Sequence, residues 1–318
     1  MKKIILSLAV VSMLFSCNKQ EDSITTTDGN TAEIVGKRGC YSDEHLKAQL
    51  AADPTLAQRM EEFELQSARA IANGRIVNGV IEIPVVVNVL YRTTAENISL
   101  AQIQSQIDVL NKDFNAANSD YNTANNPYSS VRANVGIRFV LDQVIRKSTT
   151  KSSWGTKDAM KKSTQGGLNP TSPTTKLNIW ICTIGGGILG YAQFPGGASA
   201  TDGVVLDGKY TGTTGTATAP FNLGRTATHE VGHWMNLRHI WGDATCGSDL
   251  VSDTPIHNAA NSGVPAVGHR STCSGTPLEM YMNYMDYTDD RGMYMFSAGQ
   301  KTRMLAIFAV GGSRASFR

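Results

Sequence analysis

Apolar and polar positions along this chain fall into blocks that change period, and each change marks an element. Behind Met1-Lys2-Lys3 an apolar run fills residues 4–15. It is too short to cross a bilayer and has the charged start and hydrophobic middle of an export signal. Residues 18–37 carry Thr, Asp, Gly and Asn without periodicity and read as a tether. Leu56, Met60, Phe63, Ser67 and Ala70 or Ile71 then recur at helical spacing until Asn73-Gly74, with Asp53 as N-cap and Pro54 as first helical residue. Residues 81–91, IEIPVVVNVLY, are β-branched and apolar, the mark of a buried strand. Ile103, Ile107, Leu110 and Phe114 share one face of a helix over 99–114, capped by Ser99. Beyond a loop rich in Asn, Asp and Ser at 115–126, strands are predicted at 135–144, 176–184 and 202–206. A closing helix at 298–310 turns Met304, Ile307 and Phe308 inward. Strands alternating with helices imply a mixed sheet with helices packed against it, an α+β domain.

The stretch at 228–243, THEVGHWMNLRHIWGD, carries chemistry as well as periodicity. At about 100° of rotation per helical residue, His229 and His233 lie on one face and can present imidazoles to one ion. Glu230 projects beside them, where it can hold a metal-bound water. Continued helix would carry His239 to the opposite side, so the helix must stop first. Asn236 is the predicted stop, because Asn accepts the left-handed conformation better than any residue except Gly. The returning chain then offers His239 as a third zinc ligand and leaves a fourth position for water. A solvated face of an amphipathic helix is the alternative reading.

A length of 318 residues suits one sizeable catalytic domain plus smaller processed segments. Hydrophobic residues at 41% and charged residues at 18% allow a buried core, and a net charge of +2 without a long basic run gives no reason to expect nucleic acid. The five cysteines each have a distinct setting. Cys17 follows Leu14-Phe15-Ser16, which resembles a bacterial lipobox whose cysteine becomes a lipidated N-terminus; an ordinary cleaved signal is the alternative. Cys40, in Arg38-Gly39-Cys40-Tyr41, can supply a thiolate to zinc at the water position and keep the enzyme latent; it can also be a disulfide partner or a stray thiol. Cys182 sits in a predicted strand as an inert core thiol. Cys246 and Cys273 bracket a loop-like segment and form the natural disulfide pair in an oxidising compartment.

Three further stretches add candidates. Leu189, Gly190, Tyr191, Ala192 and Gln193 follow a run of glycines and can form a sheet edge that pairs with an extended peptide, though ordinary turn glycines give the same pattern. Asp243, Asp249 and Asp253 in one loop can wrap Ca²⁺ with hard oxygens, or be solvated acids. Met285 can floor the three imidazoles with a thioether, and Tyr287 can turn its phenol to a developing oxyanion.

LGYAQFP, HEVGHWMNLRHIWGD, CGSDLVSDTP and NYMDYTDD, in this order, resemble elements of the pappalysin family of metzincin metallopeptidases, especially its bacterial cytophagalysin-like branch, over roughly residues 81–304. The resemblance implies a metzincin/zincin-like catalytic domain over 78–318. A twisted mixed β-sheet with packed helices lies above the cleft to about residue 235, and an irregular lower subdomain with a C-terminal helix follows from 236. Residues 1–17 are then the signal and 18–77 the tether and prosegment. The resemblance also implies zinc on His229, His233 and His239, Glu230 as general base, Met285 as the Met-turn and Tyr287 as transition-state stabiliser. Structural calcium is implied at Asp249, Val251, Asp253 and Thr254, a substrate strand at Leu189 to Gln193, and a latency switch at Cys40. The expected protein is an exported zinc endopeptidase acting on proteins or peptides, monomeric, and secreted or held at the cell surface or outer membrane only through a lipidated Cys17. A catalytically inactive zincin-fold lipoprotein that binds protein ligands is the competing expectation. Two departures stand out. The motif's usual Gly is Asn236, and a second disulfide of many relatives would fall near Val264 and Gly292, where neither cysteine is present. Relatives often favour basic residues after the cut bond, but Asp289 and Asp290 beside Arg291 leave that preference unassigned.

Overall fold

The computed structural model describes residues 37–74, 79–123 and 126–317. The leader with Cys17 and the tether up to residue 36 lie outside them. Among the described residues no helix is long and apolar enough to cross a membrane.

The strand predicted at 81–91 is β1 (Ile81–Tyr91), and eight of its side chains are buried. Burial on both faces explains its continuous apolar run. β2 (Ile137–Ser148) and β3 (Leu177–Cys182) flank it in parallel. β5 (Val204–Asp207) extends the sheet beyond β3, also in parallel, and β4 (Gly190–Ala192) pairs antiparallel to β5 at the margin, giving the order β2-β1-β3-β5-β4. The sheet is mixed, as predicted. β2 continues four residues past 144 because Leu90 and Tyr91 pair with Lys147 and Ser148, a partly exposed stretch whose only apolar residue is Ile145.

Helix α3 (Leu100–Phe114) follows β1, and the Ser99 hydroxyl accepts the amide of Gln102 at 3.1 Å. Its apolar stripe joins β1, β2 and helix α4 (Arg225–Trp234) in one buried core. Helix α5 (Ala298–Ala306) opens on a capping box of Ser297 and Gln300 and ends four residues before 310, with Met304, Ile307 and Phe308 all buried.

The N-terminal segment differs from expectation. Helix α2 (Leu56–Ala72) starts after Thr55, not Asp53, because the Asp53 carboxylate accepts the Thr55 amide at 3.0 Å and hydroxyl at 2.7 Å, ahead of the first turn. Helix α1 (Ser42–Ala52) was not legible at all. Its buried residues are Ser42 and His45, so it has no apolar stripe to detect.

Cys246 and Cys273 are bonded, with Cα atoms 5.8 Å apart. A side chain added at Gly292 would meet the Val264 methyls at 3.1 and 3.2 Å, so the two positions lacking cysteine lie against each other.

Candidate metal centre and active site

All ten residues of α4 are buried, and the helix presents His229 and His233 on one side. It ends where the left-handed residue was predicted: Asn236 has φ +72°, its amide donates to the His233 carbonyl and the Leu237 amide to the Gly232 carbonyl, each at 2.9 Å. This turn brings His239 back to its partners. His233 Nε2 lies 3.1 Å from Nε2 of both His229 and His239.

These short contacts are not hydrogen bonds. His229 Nδ1 donates to the Tyr284 carbonyl at 2.7 Å, His233 Nδ1 to the Leu237 carbonyl at 2.8 Å, and His239 Nδ1 to the Asp243 carboxylate. With each ring proton committed to Nδ1, three Nε2 lone pairs converge, and burial holds His229 and His233 well below the usual imidazole range. Such an arrangement is repulsive without a cation and suited to zinc with one. Among the described residues a single cluster of metal-ligating side chains exists, and it adds the buried Cys40 to the three histidines, all four donor atoms within 4.8 Å of one another.

Met285 is fully buried below the helix. A side chain at Gly232 would put Cβ 2.5 Å from the Met285 sulfur, so the missing Cβ is what lets the thioether approach. Tyr287 packs edge-on to His239 and Trp241 and donates from its hydroxyl to the Cys40 carbonyl at 3.3 Å.

Glu230 is buried, and that burial raises its carboxyl to about 7. The Ser42 hydroxyl donates to its Oε2 at 2.8 Å, and the Cys40 thiol lies 3.4 Å from the same atom. Desolvation followed by the nearby Glu230 charge pushes the Cys40 thiol well up where no cation opposes it.

The sheet edge predicted at 189–193 is β4 with its flanks, and the N-terminal segment already pairs with it. The Leu189 amide donates to the Gly39 carbonyl at 2.8 Å and the Tyr41 amide to the Gly190 carbonyl at 3.2 Å, in a parallel bridge. A Cβ on Gly190 would lie 2.9 Å from the Val205 carbonyl and 3.0 Å from Glu230, so glycine is what lets the strand approach the acid. Tyr191 turns its hydroxyl to Asp158 at 3.0 Å, Ala192 donates its amide to Ser42 at 2.8 Å, and Gln193 accepts from Gln49 at 3.0 Å.

The sequence did not reveal the other grips on this segment. Arg38 is buried, with Nη2 2.6 Å from Asp290 Oδ1 and 3.2 Å from the Thr288 carbonyl and its guanidinium 4.8 Å from the Phe221 ring. Asp290, not Asp289 or Arg291, is thus the acid that meets this segment. Glu64 of α2 accepts from Asn236 at 3.0 Å and pairs with Arg303, which also donates to the Asn236 carbonyl at 2.7 Å. Single charged residues spread through a polar segment give no periodic signal.

The acidic loop is only partly assembled. The Thr254 hydroxyl lies 2.9 Å from both Asp249 oxygens and from the Val251 carbonyl. Asp253 is turned away: its carboxylate takes the Ser297 hydroxyl at 2.6 Å and the Gly299 amide at 2.8 Å, holding the start of α5. Asp243 is likewise committed to His239.

The peptidase M43 family model, described as pregnancy-associated plasma protein-A, matches residues 173–309. An extracellular metalloprotease of Pyricularia oryzae is 37% identical over 261 residues, 76% of this chain and 81% of that protein. Mirolysin in complex with compound 9 superposes with a TM-score of 0.73 at 42% identity, covering 76% of this chain and 96% of mirolysin. A Tannerella forsythia promirolysin mutant superposes at 0.81 with 38% identity, covering 88% and 97%. The precursor form therefore matches a further 12% of this chain (88 − 76). With its metal-ready histidines on a mixed-sheet metzincin fold, the chain belongs to the pappalysin family of zinc metalloendopeptidases.

Proposed function

We propose that this protein is an exported zinc endopeptidase made as a zymogen, with residues 37–77 as the inhibitory end of its prosegment. The observation that carries the reading is the convergence of Cys40 on the three histidines beside Glu230. His229, His233 and His239 would hold the zinc, with Cys40 as fourth donor in the latent form. Zinc bound there supplies Lewis-acid polarisation of a substrate carbonyl and acidifies water.

The residues around it divide the remaining work. Once Cys40 and Ser42 leave, the Glu230 carboxylate is free to take a proton from the attacking water and return it to the departing amine. Tyr287 already donates to a carbonyl, that of Cys40, and the same hydroxyl would stabilise the oxyanion of the substrate. The free β4 edge would hold the peptide backbone by main-chain hydrogen bonds. Asp290, which Arg38 fills in the latent form, makes the adjoining pocket one for a basic side chain.

Export is supported by the leader-like residues 4–15 and by relatives named extracellular metalloproteases. Attachment through a lipidated Cys17, a monomeric state and calcium at Asp249, Val251 and Thr254 are parts of the same proposal. The intact histidine and glutamate set argues against an inactive binding module, which has no physical need for an open zinc site. Casein or gelatin digestion with and without chelator tests the activity, and mass spectrometry of the mature N-terminus tests Cys17. Glu230→Ala is expected to bind zinc and cleave nothing. Full residual proteolysis in that variant would defeat the assignment.

A further inference from the structure

The N-terminal segment fills a second, unassigned place on the cleft. Three residues past Ser42, His45 is buried beside Tyr191 of the edge strand. Its Nε2 lies 3.3 Å from Asp158 Oδ2, and its ring centroid is 4.9 Å from that of Tyr191. The receiving group is fixed from behind. Asp158 Oδ1 takes the Tyr191 hydroxyl at 3.0 Å and the Lys161 ammonium at 3.0 Å, and Lys161 is itself fully buried and tied to the Thr201 carbonyl at 2.8 Å. Asp158 also holds φ +58°, a left-handed conformation that costs a non-glycine residue energy and tends to persist where a site needs it.

Two consequences follow. Lys161 offsets the Asp158 charge, so the subsite distinguishes partners by hydrogen bonding more than by net charge. Departure of His45 would leave Oδ2 without its 3.3 Å partner, and a buried carboxylate oxygen favours whatever donor replaces the lost one. The place is also tied to the edge that the segment covers, because Tyr191 belongs to β4, beside which residues 39 and 41 pair. Arg38 precedes Cys40 and His45 follows it, so the segment meets Asp290 before, and Asp158 after, the cysteine that reaches the histidines.

We propose that Asp158, backed by Tyr191 and Lys161, is a specificity-determining residue of the mature enzyme. It selects a donor-bearing side chain, imidazole, ammonium or guanidinium, on the side of the cut bond opposite the Asp290 pocket. The inference rests on the peptidase reading above, and its test separates the two. Mature enzyme is given paired peptides that share a basic residue for the Asp290 pocket and differ at one position on the other side, Lys or His against Ala. The wild-type enzyme is expected to favour the donor-bearing peptide about tenfold in kcat/KM, mainly through KM, as loss of one charged hydrogen bond implies. In Asp158→Asn that ratio is expected to fall towards one, while the Arg-over-Ala ratio at the Asp290 pocket persists. Both readouts are ratios and do not depend on the fraction of variant that folds. A wild-type ratio near one at every position on that side, or an undiminished ratio in Asp158→Asn, overturns the proposal. Failure of the wild-type enzyme to cut any of the peptides would instead overturn the peptidase reading.

Discussion

The Ser42 hydroxyl donates to Glu230 Oε2 at 2.8 Å while accepting the Ala192 amide at 2.8 Å. One small side chain therefore occupies both the acid that would activate water and the strand that would bind peptide. Ser42→Ala removes both bonds, and a hydrogen bond to a charged group is worth about 1.5–3 kcal/mol. Self-processing of the purified zymogen is expected to quicken about tenfold or more, read as band conversion over time. Cys40→Ala should quicken it further, since it frees the fourth zinc position. A time course unchanged in both variants would remove the latency role from this segment.

Arg38 and Asp290 make a buried pair whose partners separate when the segment leaves. Truncating one member of such a pair costs about 2–5 kcal/mol, because the other is left buried and unpaired. Arg38→Ala is expected to give a leaky zymogen with measurable caseinolysis before processing. In the mature enzyme Asp290→Asn should lower kcat/KM for peptides with Arg in the adjoining pocket by at least tenfold relative to norleucine peptides. Equal ratios in the two enzymes would show that Asp290 does not read that side chain.

What the sequence made legible followed from local physics. His229, His233, Asn236 and His239 are bound by helical rotation and one left-handed residue, so spacing alone located them, and the buried runs of β1 and α3 announced the sheet and its helix. The docking of α1 and α2 was not legible, because Ser42, His45 and Glu64 meet Glu230, Asp158 and Arg303 across separations of more than a hundred residues. The same holds for Asp253: its acidity suggested a calcium ligand, and only the packing of α5 shows where its carboxylate is spent.

Two buried groups below the Met-turn should titrate against each other. Burial raises Asp286 from 3.8 to about 6, and burial lowers His257 from 6.5 to about 4, with His257 Nδ1 3.6 Å from Asp286 Oδ2. Glu279 and Asn261 lie against them, the Met280 amide donates to His257 Nε2 at 3.0 Å and the Tyr287 amide to Asp286 Oδ1 at 2.7 Å, with His269 on the outer side of Glu279. The raised acid contributes stability that is full below pH 3.8 and lost as pH rises through 6. The depressed base contributes stability that is full above pH 6.5 and lost as pH falls through 4. At about 1.4 kcal/mol per pH unit these are opposing slopes of about 3 kcal/mol in total each, so between pH 4 and 6 they largely cancel. His257→Gln is expected to lose stability relative to its parent as pH rises across that window, and Asp286→Asn to gain it. Urea midpoints at pH 4, 5 and 6 on a Glu230→Ala background check both signs, since shared titrations drop out of the differences. Parallel profiles for parent and variants would contradict the assignment.

Asn236 has two separable roles, and one substitution divides them. Its backbone, at φ +72°, makes the turn that returns His239, while its side chain donates to Glu64 at 3.0 Å. Glycine adopts that conformation without strain, whereas a left-handed alanine costs about 1–2 kcal/mol. Asn236→Gly is therefore expected to keep zinc content and mature activity at parental levels, with thermal stability of the mature enzyme equal or slightly higher. The zymogen of the same variant loses a hydrogen bond to a charged acceptor and should convert faster, by about tenfold at most if Arg303 alone still holds Glu64. Asn236→Ala should lose stability in both forms. Zinc assay, melting temperature and conversion rate on the two variants distinguish these outcomes. A loss of zinc in the glycine variant would mean that the Asn236 side chain, not the turn, positions His239.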